Sequence, residues 1–338
     1  MFYNIQALRG IAALMVVFHH ALPHFKAMNL SNMVFESIAK FGYLGVDIFF
    51  VISGFVMAKT TIGKIQNINS SVQFIFKRFL RIFLGFWPIV FLAIIYYYFF
   101  NPSFLDNKEI LQSIFLVNAN MFDLVIAPAW SLTYELYFYL IIAILMLSPK
   151  IKPQFLFTAV ILFIILKITF VTLGSNKFID FFLSSLILEF IAGYALYYFL
   201  DKLANKKFIV IILLATIGFL YLAITINKPY GHIRVLTFGV FAFLIVWLFA
   251  SLEKNKIFII KGLFKSLGDS SYTLYLTHVV FLGMLYTLGL RDYLVRVDFA
   301  MIGFIIYMIL IVTFSWLFYK IVELPLYTTA KKHMIKSD

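Results

Sequence analysis

The segment LRGIAALMVVFHH places Arg9 and His20 within one apolar run. At 3.6 residues per turn, eleven residues bring the chain back to the same helix face. The two side chains then lie about 16 Å apart along the axis. An arginine presents a rigid fork of N–H donors to an anion, and an imidazole is a base near neutral pH. On one face they suit a single long ligand, its anionic end held by Arg9 and its reactive end at His20. His19, about 100° round the helix, faces elsewhere. Position alone leaves a second account open, with Arg9 snorkelling to lipid headgroups and His20 satisfied inside a bundle.

Further ionisable residues stand where lipid would penalise them, and such groups usually face a cavity or a partner. Asp47 lies in FGYLGVDIFFVISGFVMA, whose Gly42, Gly45 and Gly54 permit close helix approach. In SVQFIFKRFLRIF, Arg78 and Arg81 are three apart and share a helix face. They fit either a bidentate phosphate clamp or the ordinary charge of an interfacial helix. APAWSLTYELYFYL opens with Pro128, a helix-start residue, and gives an aromatic edge, Trp130 and Tyr134. Its polar edge is Ser131 and Glu135. Such a surface can hold a sugar by stacking and hydrogen bonding, or another helix. Lys167 and Glu189 are candidates for a buried ion pair. SLGDSSYTLYLTHVV carries Ser270 or Ser271 as N-cap and His278 two turns in. KIVELPLY sets Glu323 just before Pro325, which is expected to end the last helix.

The elements that position these groups follow from hydropathy. The chain is 63% hydrophobic and 13% charged, with mean hydropathy +0.99. A soluble domain is nearer half apolar. Ten runs of about 20 residues read as spans, near 5–25, 41–60, 83–100, 127–147, 153–173, 180–200, 208–226, 233–251, 270–290 and 299–319. The expectation is an all-α polytopic transmembrane helical bundle of about ten spans, one domain over 1–338. Of 28 Lys and Arg, 18 fall in alternate loops beginning with 59–82, and eight, Arg234 among them, fall on the other side. That bias puts both termini in the cytoplasm. It also accounts for the net charge of +13 without nucleic acid. The absence of cysteine excludes disulfides, thiolate metal sites and a cysteine nucleophile. With Arg9 inside the first run and no small-residue cleavage site, that run reads as a retained span.

In order along the chain, these segments resemble the acyltransferase-3 family of integral membrane acyltransferases, which O-acylate bacterial surface and exopolysaccharides. The matching motifs are Arg9 with ten residues before His20, YLGVDIFFVISGF, Arg78-x-x-Arg81, WSLTYELYFY, SYTLYLTH and ELP. The resemblance covers nearly the whole chain. It implies that Arg9 and His20 are essential, and that Arg78 and Arg81 serve a cytoplasmic acyl-CoA donor. Asp47, Glu135, His278 and Glu323 match further recurrent polar positions. Some members append an extracytoplasmic SGNH-type esterase domain. This chain is similar to the short exopolysaccharide acetyltransferase type, so a periplasmic partner would be a separate chain.

The expected reaction moves an acyl group, acetyl or succinyl, from acetyl-CoA or a related acyl-CoA to a hydroxyl of a polysaccharide or lipid-linked glycan at the bacterial inner membrane. His20 would be the base, with Asp47 or Glu135 orienting its ring, or the nucleophile of an acyl-histidine route. Trp130, Tyr134, His278 and Glu323 would line the acceptor side, and no metal is required. The competing class is a transporter or flippase using the same polar groups as a substrate path. No inverted repeat is evident in the sequence to favour it.

Overall fold

A computed structural model describes residues 2–170 and 177–335. Among them every regular element is a helix. Each of the ten apolar runs coincides with a helix, although 171–173, the end of the fifth run, lie outside the described residues. Among the described residues, eight helices are long and apolar enough to cross a membrane. The bent pair Ser271–Thr287 and Leu290–Arg296, meeting at 57°, makes a ninth if taken as one span. The apolar helix Pro153–Thr169 is shorter.

Two boundaries differ from the sequence reading. The third membrane-crossing helix runs Ile68–Phe100, 33 residues, so Arg78 and Arg81 belong to the span itself and not to a separate interfacial helix. At 1.5 Å per residue it is about 50 Å long, well beyond a bilayer's hydrocarbon core. The last helix also continues past Pro325. A π turn at Tyr319–Glu323 precedes the Leu324–Ile335 helix. The wider turn already leaves backbone groups out of the regular ladder, so a residue lacking an N–H is tolerated directly after it.

The chain folds as two compact units. The first comprises Met1–Arg9, Val46–Phe76 and Tyr134–Lys265. Its tightest crossing is between the Leu44–Thr61 and Ile187–Tyr198 helices. A Cβ on Gly54 would fall 1.9 Å from the Phe190 carbonyl oxygen, and one on Gly193 1.9 Å from that of Val51. Only hydrogen fits at either point, which is what brings these backbones together. Beside the crossing Phe190 stacks on Phe50 and Phe138, with ring centroids 4.5 and 4.8 Å apart. The start of the first helix is capped from far along the chain. Glu253 accepts from the backbone N–H groups of Tyr3 (2.8 Å) and Asn4 (2.6 Å). A carboxylate there satisfies orphan donors and complements the helix dipole.

The second unit comprises Gly10–Gly45, Lys77–Thr133 and Ser266–Asp338. Gly42 and Gly45 lie against the first helix, where added Cβ atoms would sit 2.0 and 2.4 Å from the carbonyl oxygens of Met15 and Ala12. The role read for these glycines from the sequence therefore holds. Phe25 contacts Phe35 (4.6 Å) and Phe304 (5.1 Å), tying the first helix into an aromatic cluster.

Candidate active site

The polar side chains of the second unit converge on the Ser271–Thr287 helix, which SYTLYLTH opens. Its apolar positions are ordinary bundle core, and each polar one finds a partner. Ser271 Oγ donates to the Gly268 carbonyl, and Tyr272 OH to the Ile82 carbonyl at 2.8 Å. Thr273 Oγ1 donates to Glu323 Oε2 at 2.5 Å. Tyr275 OH and Ser131 Oγ bond each other at 2.8 Å and both reach the Pro128 carbonyl. Thr277 meets Ser315 at 2.8 Å. Ser270 sits at the expected N-cap position, but its hydroxyl donates backward to the Ser266 and Leu267 carbonyls instead of accepting from the first turn.

His278, the last polar residue of the motif, is fully buried. Its Nδ1 lies 3.0 Å from the Leu274 carbonyl oxygen, and its Nε2 3.1 Å from His20 Nδ1. His20 is half-buried, and its Nδ1 is also 3.1 Å from the Val16 carbonyl oxygen. The two rings are 5.0 Å apart. The group bonded to the His20 ring is thus His278, where the sequence had offered Asp47 or Glu135. His19 is held differently, by the Ala39 carbonyl at 3.0 Å and edge-on to Tyr43.

Arg81 and Glu323, separate candidates in the sequence, form one ion pair at 3.0 Å with Glu323 almost wholly buried. The guanidinium lies over the rings of Tyr327 (5.3 Å) and Tyr272 (6.0 Å). Arg81 is therefore part of the framework of its unit. A guanidinium has five N–H groups, so one carboxylate leaves donors for a second anion. Arg78, three residues earlier, is half-buried, as is Trp130 at the start of the Trp130–Met146 helix.

The first unit holds the remaining candidates. Asp47, fully buried, accepts from Arg234 through both oxygens, Oδ1 to Nε at 2.9 Å and Oδ2 to NH2 at 2.8 Å. Arg234 had been counted with an outer loop. Its position one residue into an apolar run was the only signal that it belongs inside. Glu189, also buried, lies close to both. Lys167 pairs with Asp180 at 2.9 Å, so the proposed Lys167–Glu189 pair does not form. Glu135 Oε1 accepts from Ser53 (2.9 Å) and Tyr139 (2.5 Å). Tyr134 packs on Phe181 at 4.8 Å. Arg9 donates to Gln6 at 3.4 Å.

Comparison with known proteins identifies the family. The acyltransferase domain family Acyl_transf_3 matches residues 2–320. The chain belongs to that acyltransferase family and is a multi-pass membrane protein. Among curated relatives, the chain is similar to the exopolysaccharide production protein ExoZ of Rhizobium meliloti (strain 1021), at 28% identity over 273 residues, 76% of this chain and 84% of the relative. It is also similar to the peptidoglycan O-acetyltransferase OatA of Listeria monocytogenes serovar 1/2a (strain ATCC BAA-679 / EGD-e), at 31% identity over 156 residues. That match takes in 41% of this chain and spans 23% of the relative's length. No solved structure matches.

Proposed function

We propose that the chain, acting as one domain over 1–338, transfers an acyl group, acetyl in the first instance, from cytoplasmic acyl-CoA to a hydroxyl of an exported polysaccharide or its lipid-linked precursor. The family supports acyl transfer, and the names of the two relatives support a polysaccharide acceptor. The observation that carries the reading is the 3.1 Å contact between His20 and His278. A base with one ring nitrogen already bonded is an oriented base. A thioester has a good leaving group, so the protein's task is to deprotonate the sugar and bring both substrates together. The sugar O–H proton moves to His20 as the sugar oxygen attacks the thioester carbonyl carbon. The tetrahedral intermediate collapses by breaking C–S, and the departing thiolate recovers that proton from the imidazolium. The products are an O-ester and free CoA.

Arg9, Arg78 and Arg81 are proposed to bind the donor phosphates, and Trp130, Tyr134 and Glu135 the acceptor. The reading puts the chain in the bacterial inner membrane with both termini cytoplasmic. A separate periplasmic chain is its proposed partner. The test is O-acylation of the polysaccharide, followed by NMR and mass spectrometry in cells expressing single variants at matched levels. His20→Ala is expected to lose about 10²–10⁴-fold in rate, the usual contribution of a general base. His19→Ala, held by other partners, is expected to lose far less. Full activity in His20→Ala removes the base and the reading with it.

A further inference from the structure

Resting on the reading of His20 as the base, we propose that His278 is a positioning residue. It holds His20 in its Nδ1–H tautomer, so that Nε2 is the nitrogen that takes the sugar proton.

The assignment follows from what each partner can do. A backbone carbonyl only accepts. His278 Nδ1, 3.0 Å from the Leu274 carbonyl oxygen, therefore carries the proton of that neutral ring, and His278 Nε2 is left with a lone pair. That lone pair faces His20 Nδ1 at 3.1 Å. His20 Nδ1 in turn faces the Val16 carbonyl at 3.1 Å and must also carry its proton. One N–H is thus shared between two acceptors, a carbonyl oxygen and an imidazole nitrogen. All three contacts are satisfied with both rings neutral, and only one tautomer of each ring satisfies them. Among the described residues the hydrogen bonds of His20 all fall on Nδ1, so its basic lone pair is on Nε2, on a half-buried ring.

The arrangement resembles the way a carboxylate fixes a catalytic imidazole's tautomer, with a neutral acceptor in the carboxylate's place. When Nε2 takes a proton, the Nδ1–H bond to His278 becomes charge-assisted and strengthens. His278 therefore favours the imidazolium that forms during the reaction more than the neutral resting base. It can do so because it is held in place. It is fully buried, and its own Nδ1 is tied to the preceding turn. One turn earlier Tyr275, 6.1 Å from it ring to ring, is fixed by Ser131 and Pro128. The other titratable groups facing the pair are His19, whose ring is 5.3 Å from His20, and Tyr43 beyond it.

Two measurements test this. In purified protein with ¹⁵N-labelled histidine, the His20 signals, identified by their loss in His20→Gln, should show Nδ1 protonated and Nε2 bare. The opposite tautomer overturns the proposal without any variant at position 278. In acyl-transfer kinetics, His278→Phe keeps a ring but removes the acceptor. It should lower kcat about tenfold or more, leave KM for acyl-CoA unchanged and displace the acidic limb of the kcat–pH profile. His278→Gln places an amide oxygen near the former Nε2 and should recover most of kcat and the original profile. A His278→Phe enzyme with normal kcat and profile refutes positioning, as does equal impairment of both variants with an unmoved profile. Activity in His20→Ala would instead refute the base assignment beneath it. Inactive His20→Ala alongside unimpaired His278→Phe would refute only the present inference.

Discussion

Replacing Arg234 should damage the first unit more than any other single charge removal there. Arg234 and Asp47 are joined by two near-parallel N–H···O contacts of 2.9 and 2.8 Å, and both residues are buried. Glu189, also buried, lies beside the pair. Arg234→Met fills similar volume but leaves the buried Asp47 carboxylate with no cation. Removing one member of a buried pair costs about 3–5 kcal/mol. For a chain of this size each kcal/mol shifts the midpoint by roughly 2 °C, which gives a fall of roughly 6–10 °C. Asp47→Asn with Arg234→Met removes both charges and should recover more than half of the loss. The coupling between the two substitutions is the quantity to read. Intrinsic fluorescence of the four tryptophans in detergent micelles follows unfolding, which suits a chain with no cysteine for thiol-reactive dyes. A loss below about 1 kcal/mol in Arg234→Met, or a double variant as unstable as the worse single one, would show that the pair does not hold this unit together.

Two further outcomes follow from the arginines and the loops. Arg78→Ala or Arg81→Ala should weaken acyl-CoA binding roughly tenfold to a hundredfold, at about 1.5–3 kcal/mol per charge-assisted contact. Arg81→Ala with Glu323→Gln should restore stability but not affinity. Unchanged CoA affinity in the Arg78→Ala, Arg81→Ala double variant, measured by calorimetry, would leave both arginines structural. Reporter fusions after residues 75, 150 and 205 should all read cytoplasmic, and a periplasmic signal at any one would reverse the proposed orientation.

What the sequence could reveal was bounded by distance along the chain. Ten apolar runs announced ten helices, because hydropathy is a local property. Arg9 and His20 could be placed on one face because eleven residues of one helix fix the rotation. The glycines at 42, 45 and 54 were legible as contact points for the same reason, but not their targets at Met15, Ala12 and Phe190. Pairings across helices were out of reach. Arg234 is 187 residues from Asp47, and nothing in either neighbourhood names the other. Lys167 was offered Glu189 and took Asp180 because ion pairing depends on helix rotation and tilt, which periodicity alone does not supply. His20 was offered a carboxylate on chemical grounds, and the buried His278 stands there instead. Pro325 misled for the opposite reason. The local rule was sound, but a π turn just upstream changed what the backbone required.

The carboxylate that caps the first helix has a bearing on synthesis. Glu253 lies 249 residues beyond Asn4, and His278 lies 258 beyond His20. At about 5–20 residues per second, roughly 12–50 s separate the emergence of each early residue from that of its partner. Throughout that interval the first helix lacks the Glu253 cap on its leading N–H groups, and its histidine has the Val16 carbonyl but not its imidazole partner. The Tyr3–Ala27 span is thus locked late, and the His20–His278 pair forms only after a further 258 residues have been made. A chain stopped short of residue 278 carries His20 without its imidazole partner.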